Sequence, residues 1–484
     1  MKKSIFTNNL SLLVIAFLGI IYIFLPSTNN SSDSIAYAID IRNGDIFSPH
    51  HLLFNALGFA FSKILHTNET LAVNCVINAL FAIGCLWWVR KISLYFVDDK
   101  SSAFILFFLG SCFGFLRFAT DGETYIIPIF FSLWASFTLL KKQIFVTGLL
   151  ASIACLFHQI HFFWWFGLLW CIWVAYPNER TKNLVLYIGT AFIVPIAYIL
   201  VFYLTRTDCD NLLQYIFHDY VKSSHVEFKL KGIAFLLTPI SFIRTFIQVH
   251  GYMYPLIMKN LWLILILSVI AFFSFMGIKS IKGGFINNHN DIQIKNYASA
   301  HLLIFFFQLS YAFISDGNAE FMVMLPFVLS IFLFTRFQIR SNIIGYLSIT
   351  LFLWNISFGV IPNHFVELDS DMAFKNYMTK NPNLIYLVRD NPRIENLIAY
   401  FNPHQKIILL DAIKDKSKLD RLISSKKVIY SDIWYNKGFI SREKVVDRDL
   451  SSIEKNFSIT YEDSLKYDLG ILYISKICNK LPLK

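Results

Sequence analysis

Apolar residues along this chain fall in long continuous runs separated by short polar breaks, not in the alternating pattern of amphipathic strands. Runs of about 16 to 22 residues have the length of a helix crossing a hydrocarbon core of ~30 Å. They lie at about 8–26, 70–89, 101–118, 124–140, 143–159, 161–176, 183–204, 259–279, 298–314, 321–335 and 341–361, which predicts about eleven spans. Within lipid only helices and closed barrels satisfy the backbone, and continuous runs select helices. Two further stretches, 34–43 and Leu52 to Leu65, are short, are parted by Pro49, and read as helices lying in the interface. The segment 205–258 carries Lys222, Lys229, Lys231 and Arg244 around an apolar patch from Ile233 to Ile243, the pattern of a re-entrant or surface-lying element.

Beyond Pro362 the pattern changes. Charges become frequent, and the β-rich runs Lys406–Asp411, Lys427–Tyr430 and Leu469–Ile474 alternate with helical patterns at Arg393–Phe401 and Lys416–Ser424. The expected fold class is an all-α polytopic membrane protein with a small C-terminal soluble α/β domain, divided into 1–362 and 363–484.

Composition agrees. Hydrophobic residues make up 56% of the 484 and charged residues only 15%, against about 25% charged in ordinary soluble domains. The net charge of +11 is carried largely by Arg90, Lys91, Lys100, Lys141, Lys142, Arg180, Lys182, Lys279, Lys282, Arg336 and Arg340, all between predicted spans or at a span end. Positive-inside bias therefore predicts a cytoplasmic N-terminus behind Lys2 and Lys3, with the first run kept as a signal anchor. The lipid bilayer is the expected surroundings and the basic excess needs no nucleic-acid partner. Loops 27–69, 119–123, 205–258 and 315–320 and the C-terminal domain are then extracytoplasmic in the cell membrane. Five of the seven cysteines fall in spans, and no disulfide framework or zinc spacing follows.

The carboxylates and histidines gather in those outer loops. Asp33, His50 and His51 share the first; Asp121 and Glu123, with Arg117 and Tyr125 beside them, share the second; Asp316, Asn318 and Glu320 share another. His158 and His161 stand at i and i+3 at a predicted helix end, and Asn74 and Asn78 lie within a span, spaced for interhelical hydrogen bonds. A chain that keeps charge out of its apolar helices yet collects acids and imidazoles at one rim is expected to have a site there. Blander roles suit several of these residues: Asp33 as cap of the following helix, Gly122 as the centre of a solvated turn, Arg117 snorkelling to headgroups, Glu320 at a helix start.

The layout Asp33-Ser-Ile-Ala-Tyr37 after the first span, followed by Asp121-Gly-Glu123-Thr-Tyr125 after the third, resembles the GT-C superfamily of membrane glycosyltransferases, near its protein mannosyltransferase and aminoarabinose transferase branch. That branch usually carries two adjacent acids in the first motif, whereas here Ser34 follows Asp33. The resemblance implies inverting transfer of a sugar from a polyprenyl-phosphate donor to a glycan, lipid or protein acceptor, with Asp33 as general base and Asp121 and Glu123 as further catalytic residues. A carboxylate near low dielectric has the basicity for this, and the leaving lipid phosphate needs cations or donors nearby. Tyr37, His50, His51, Arg117, Tyr125, His158, His161, Asn318 and Glu320 are the expected substrate contacts. A divalent cation, Mg or Mn, held by Asp121 and Glu123 is the one cofactor in view. An O-antigen-type polysaccharide polymerase and a non-catalytic transport or assembly protein are the competing classes.

Overall fold

The computed structural model describes residues 9–205, 209–217, 232–280, 286–287, 291–338, 341–388, 391–409, 421, 428–434, 437–438 and 453–480. Lys222, Lys229 and Lys231, and nearly all of the helix expected at Lys416–Ser424, lie outside these residues. Contacts divide the chain into two compact units. One comprises Met1–Ser27, Asp40–Val249 and Leu261–Val360, the other Thr28–Ile39, His250–Asn260 and Ile361–Lys484.

The first unit is a helical bundle, and every predicted apolar run coincides with helical structure. Five helical runs among the described residues are long and apolar enough to cross a membrane: Thr70–Ser93, Pro177–Thr205, Leu263–Ser280, Ile292–Ile314 and part of Ser341–Lys380. The other expected spans lie in shorter helices such as Leu10–Phe24, Ile126–Leu140 and Ile144–Phe157. Burial separates central from peripheral helices. Within its most apolar window Thr70–Ser93 is 56% buried, whereas Leu263–Ser280 is 17% buried and leaves Leu265, Phe272 and Phe275 exposed, as lipid-facing side chains are. Small residues let central helices approach closely: a Cβ on Gly148 would stand 2.9 Å from the Tyr187 carbonyl oxygen, and one on Gly167 would collide with Ile304. Buried polar groups pair across helices. Trp164 Nε1 donates to Ser136 Oγ at 2.9 Å, His301 Nε2 meets the same oxygen at 3.1 Å, and the Tyr297 hydroxyl donates to the Ser136 carbonyl at 3.2 Å.

The run expected as one span over 101–118 is broken. Helix Asp99–Ser111 ends at Cys112, and Phe113–Ala119 leaves at a 72° bend. The break frees the Ser111 carbonyl, which accepts from Asn355 Nδ2 at 2.7 Å; the same amide donates to the Phe246 carbonyl, and its Oδ1 accepts from Gln248 N at 2.8 Å. Non-helical backbone in an apolar region survives only where protein buries it. Except for Arg117, every residue of Phe113–Ala119 is buried.

In the second unit Ile385–Val388 runs parallel to both Lys406–Leu409 and Ile429–Ser431, and the hairpin Phe457–Tyr467 with Gly470–Asn479 extends the sheet antiparallel. Tyr386, Leu387 and Val388 are fully buried, which explains an uninterrupted apolar strand instead of an alternating one. Helices Ser370–Lys380 and Pro392–Phe401 accompany the sheet, capped at their starts by Asp369 and Asn391. All seven cysteines are free thiols.

Candidate functional site

In the first unit the acidic motif is buried. Thr120, Asp121, Glu123 and Thr124 are each at most 3% exposed, so the expectation of a solvated turn at Gly122 is corrected. The bend at Cys112 turns the chain into the protein before this motif begins. Asn78, on helix Thr70–Ser93, then holds it in place: its Nδ2 donates to the carbonyls of Asp121 at 2.7 Å and Glu123 at 2.6 Å. Asn78 was expected to bridge helices; it instead fixes a loop. Asp121 Oδ1 accepts from Gly122 N at 2.8 Å, and Ser27 N donates to the Thr120 carbonyl at 2.7 Å.

Beyond the motif, Tyr125 packs on Phe118 with ring centroids 4.8 Å apart, and its hydroxyl donates to Glu320 Oε2 at 3.0 Å. Glu320 opens the turn Glu320–Met322, where Asn318 Oδ1 accepts from its backbone N–H at 3.0 Å. The turn before it needs Asp316 at φ 55° and Gly317 at φ 73°, and a Cβ on Gly317 would sit 2.7 Å from Thr238 N. Arg117 is half-buried with its guanidinium over the Phe118 ring.

His158 completes this wall. It was expected to share a helix face with His161, but Ile144–Phe157 ends immediately before it and His158 is extended, at φ −159° and ψ 122°. The two rings therefore diverge. His161 stacks on Trp164 and bonds Ser132 Oγ at 2.7 Å. His158 lies edge-on to His51 with centroids 4.3 Å apart and packs on Tyr125 at 5.2 Å. Its Nδ1 accepts from Ile160 N at 3.3 Å, which places the proton of the neutral ring on Nε2. That Nε2 is buried and meets no acceptor among the described residues. His50 neighbours His51 at 6.2 Å, and Gln159 N donates to its carbonyl at 3.3 Å.

A cavity of about 740 Å³ is lined by the next residues along the chain, Gln159 and Ile160, with Phe162, Trp165, Tyr198 and Tyr311 among others. Its lining is almost wholly apolar. The polar exception is a knot in which Gln159 Nε2 donates to Tyr198 Oη at 2.9 Å and Tyr198 donates to the Pro49 carbonyl at 2.6 Å. Neither residue was singled out in the sequence, although a glutamine between two histidines at the end of an apolar run was the available signal.

In the second unit Asp33 lies in the first turn of helix Ser32–Asn43 and is exposed. It is not the cap; Ser31 is, with its Oγ accepting from Ser34 N at 3.1 Å. Tyr37 is half-buried on the same helix. Asp40, where the chain re-enters the first unit, was missed by sequence reasoning. Burial, reinforced by the nearby Asp45 carboxylate, pushes its carboxyl up to about 6.

Among the described residues no three His, Cys, Asp or Glu side chains converge on one point, so a cation at Asp121 and Glu123 would have to complete its shell with water and substrate oxygens.

No protein-family profile and no curated protein matches this sequence. Solved structures do match. ArnT from Cupriavidus metallidurans bound to undecaprenyl phosphate is 9% identical, with a TM-score of 0.50 over 96% of this chain and 97% of that one. The apo state of the same protein aligns over the same shares with a TM-score of 0.43. The archaeal oligosaccharyltransferase AglB from Archaeoglobus fulgidus, in complex with an inhibitory peptide and a dolichol-phosphate, is 12% identical over 89% of this chain and 70% of that one, with a TM-score of 0.38. The first of these shows that the chain has the fold that the GT-C resemblance implied, that of a polytopic membrane protein.

Proposed function

We propose that this chain is a membrane glycosyltransferase that moves a sugar from a polyprenyl-phosphate donor to an acceptor hydroxyl. The observation that carries the reading is the apolar cavity of about 740 Å³ lined by Gln159 and Ile160, the residues that follow His158 and its buried Nε2, in a chain with the fold of ArnT, a protein that binds undecaprenyl phosphate. An isoprenoid tail suits an apolar cavity and its phosphate suits a buried donor at the rim.

In this reading the acceptor hydroxyl transfers its proton to the Asp33 carboxylate while its oxygen attacks the anomeric carbon. The bond from that carbon to the phosphate oxygen breaks, its electron pair leaves with the lipid phosphate, and configuration inverts. His158 Nε2–H, with Arg117 and the neighbouring His51, stabilises the charge that develops on the phosphate. The buried carboxylates Asp121 and Glu123, with Glu320 held by Tyr125, orient sugar hydroxyls. Tyr37, His50, His161 and Asn318 are further substrate contacts, His161 also stacking on Trp164 and bonding Ser132. In this reading the reaction faces the outside of the cell membrane, on the side of the C-terminal domain; the basic loops between predicted spans support that orientation.

The test is complementation of a strain lacking the gene with wild type, Asp33→Asn or His158→Ala, reading surface glycans by mass spectrometry after confirming membrane insertion. Loss of one defined sugar with well-inserted Asp33→Asn supports the reading, and the missing mass identifies the unit. Full complementation by Asp33→Asn sinks it and leaves the polymerase and assembly classes.

A further inference from the structure

Within the second unit, three of the four residues before Asp33 are tied to residues from the far end of the sequence. Asn396, on helix Pro392–Phe401, donates its Nδ2 to both the Ser32 carbonyl and Ser32 Oγ, each at 3.1 Å. Arg393, one turn earlier, donates Nε to the Asn30 carbonyl at 3.3 Å. Its Nη1 reaches Asp371 Oδ2 at 3.4 Å and also pairs with Asp369. Asp371 is fully buried, and Asp369 caps helix Ser370–Lys380 by accepting from Asp371 N at 3.1 Å, so the guanidinium has little freedom to swing. Asn29 adds a two-way tie: its Nδ2 donates to the Val366 carbonyl at 2.9 Å, and its Oδ1 accepts from Leu368 N at 3.3 Å.

These bonds converge on the residues that set where helix Ser32–Asn43 begins. An exposed first-turn side chain has its direction fixed by that start, because the Cα–Cβ vector turns with the helix. We infer that Arg393 and Asn396 are positioning residues for Asp33, and that the C-terminal α/β domain serves to hold the base-bearing turn. The inference rests on the reading of Asp33 as the general base. It gives the domain a task that neither a loose lid nor an independent binding module would perform, since the bonds end on main-chain carbonyls next to the reacting carboxylate. A displacement of about 1 Å at such a group costs on the order of 100-fold in rate.

The experiment uses the full-length protein in nanodiscs, as wild type, Asn396→Ala, Arg393→Lys and Asp33→Asn, with the double variant Asp33→Asn/Asn396→Ala. Hydrogen–deuterium exchange reads residues 28–39 directly, and steady-state transfer to a soluble acceptor reads kcat and KM. The expected results for Asn396→Ala are exchange in 28–39 faster by about tenfold, kcat lower by about tenfold and donor KM within about twofold. In the Asp33→Asn background Asn396→Ala should lower kcat no further, because two residues acting through one group are not additive. Arg393→Lys keeps the charge opposite Asp371 but loses the fork, and should fall between wild type and Asn396→Ala.

Unchanged exchange and unchanged kcat in Asn396→Ala, with Asp33→Asn inactive, would overturn the positioning role alone. An additive loss in the double variant would overturn it too, by showing a general structural defect. Full activity of Asp33→Asn would instead remove the base reading on which the role depends.

Discussion

The Tyr125 hydroxyl donates to Glu320 Oε2 at 3.0 Å, joining two loops 195 residues apart in the chain. Each loop is acid-rich and each is rigid for its own reason, the first through Asn78 and the second through Asn318. Tyr125→Phe removes a hydrogen bond to a carboxyl group and should cost about 1.5–3 kcal/mol. Thermal unfolding in detergent checks this, with Glu320→Gln, which keeps an acceptor, expected to lose less. Equal melting temperatures for wild type and Tyr125→Phe would remove the bond from the stability of the site.

His158→Ala deletes an N–H that is buried without an acceptor among the described residues. The variant also removes the acceptor of Ile160 N and the packing on His51 and Tyr125, so folding is checked first by thermal unfolding; in folded protein, affinity for undecaprenyl phosphate should fall by about tenfold, the scale of a single hydrogen bond to a charged group. Binding measured by calorimetry in detergent decides; unchanged affinity would move the phosphate elsewhere.

Ala191 lines the apolar cavity, so Ala191→Phe places a ring where an isoprenoid tail is proposed to lie. The expected outcome is weaker binding of undecaprenyl phosphate with normal insertion and an unchanged or higher melting temperature, since filling a void stabilises when nothing is displaced. Retained affinity would show that the tail lies outside this cavity.

For Asp40 the sign is set by a carboxyl raised from 3.8 to about 6, mainly by burial and further by Asp45. The folded protein holds a proton that the unfolded chain releases, so this group's contribution is full below pH 4 and is lost as pH rises through about 6. Asp40→Asn should therefore raise the melting temperature at pH 7.5 and leave it unchanged near pH 4. A gain of equal size at both values would tie the effect to something other than titration.

Asn355→Ala strips the bonds to Ser111, Phe246 and Gln248 at once and leaves buried backbone groups without partners. A loss of about 3 kcal/mol or more is expected, seen as poor recovery from the membrane or a much lower melting temperature. Asn355→Asp, which keeps one acceptor but loses both donor bonds, should be nearly as damaging.

The apolar runs were readable because lipid imposes length and continuity on any helix that crosses it, and every predicted run is helical. The same reading failed at 101–118 for a physical reason. Hydropathy reports removal from water, and a stretch buried in protein, such as Phe113–Ala119, looks like one buried in lipid. It also placed His158 on a helix face with His161, because spacing alone does not show that the helix stops at Phe157.

The chemistry divides along the same line. Residue types at the loops named Asp33, Asp121, Glu123, Tyr125, His158 and Glu320 as candidates, since charge and imidazole are rare in so apolar a chain. Their states were not legible. That Asp121 is buried, that Tyr125 holds Glu320, that His158 Nε2 is buried without an acceptor among the described residues, and that Arg393 and Asn396 reach the turn before Asp33 all depend on contacts between distant segments. The sequence by itself determined the solvent in which this protein folds, its helical class and which residue types gather in its loops, because these follow from local transfer free energies. Only the tertiary structure decided which of those residues meet, which are buried and which polar atom is left for a ligand, because hydrogen bonds and cavities belong to pairs of segments and not to either one.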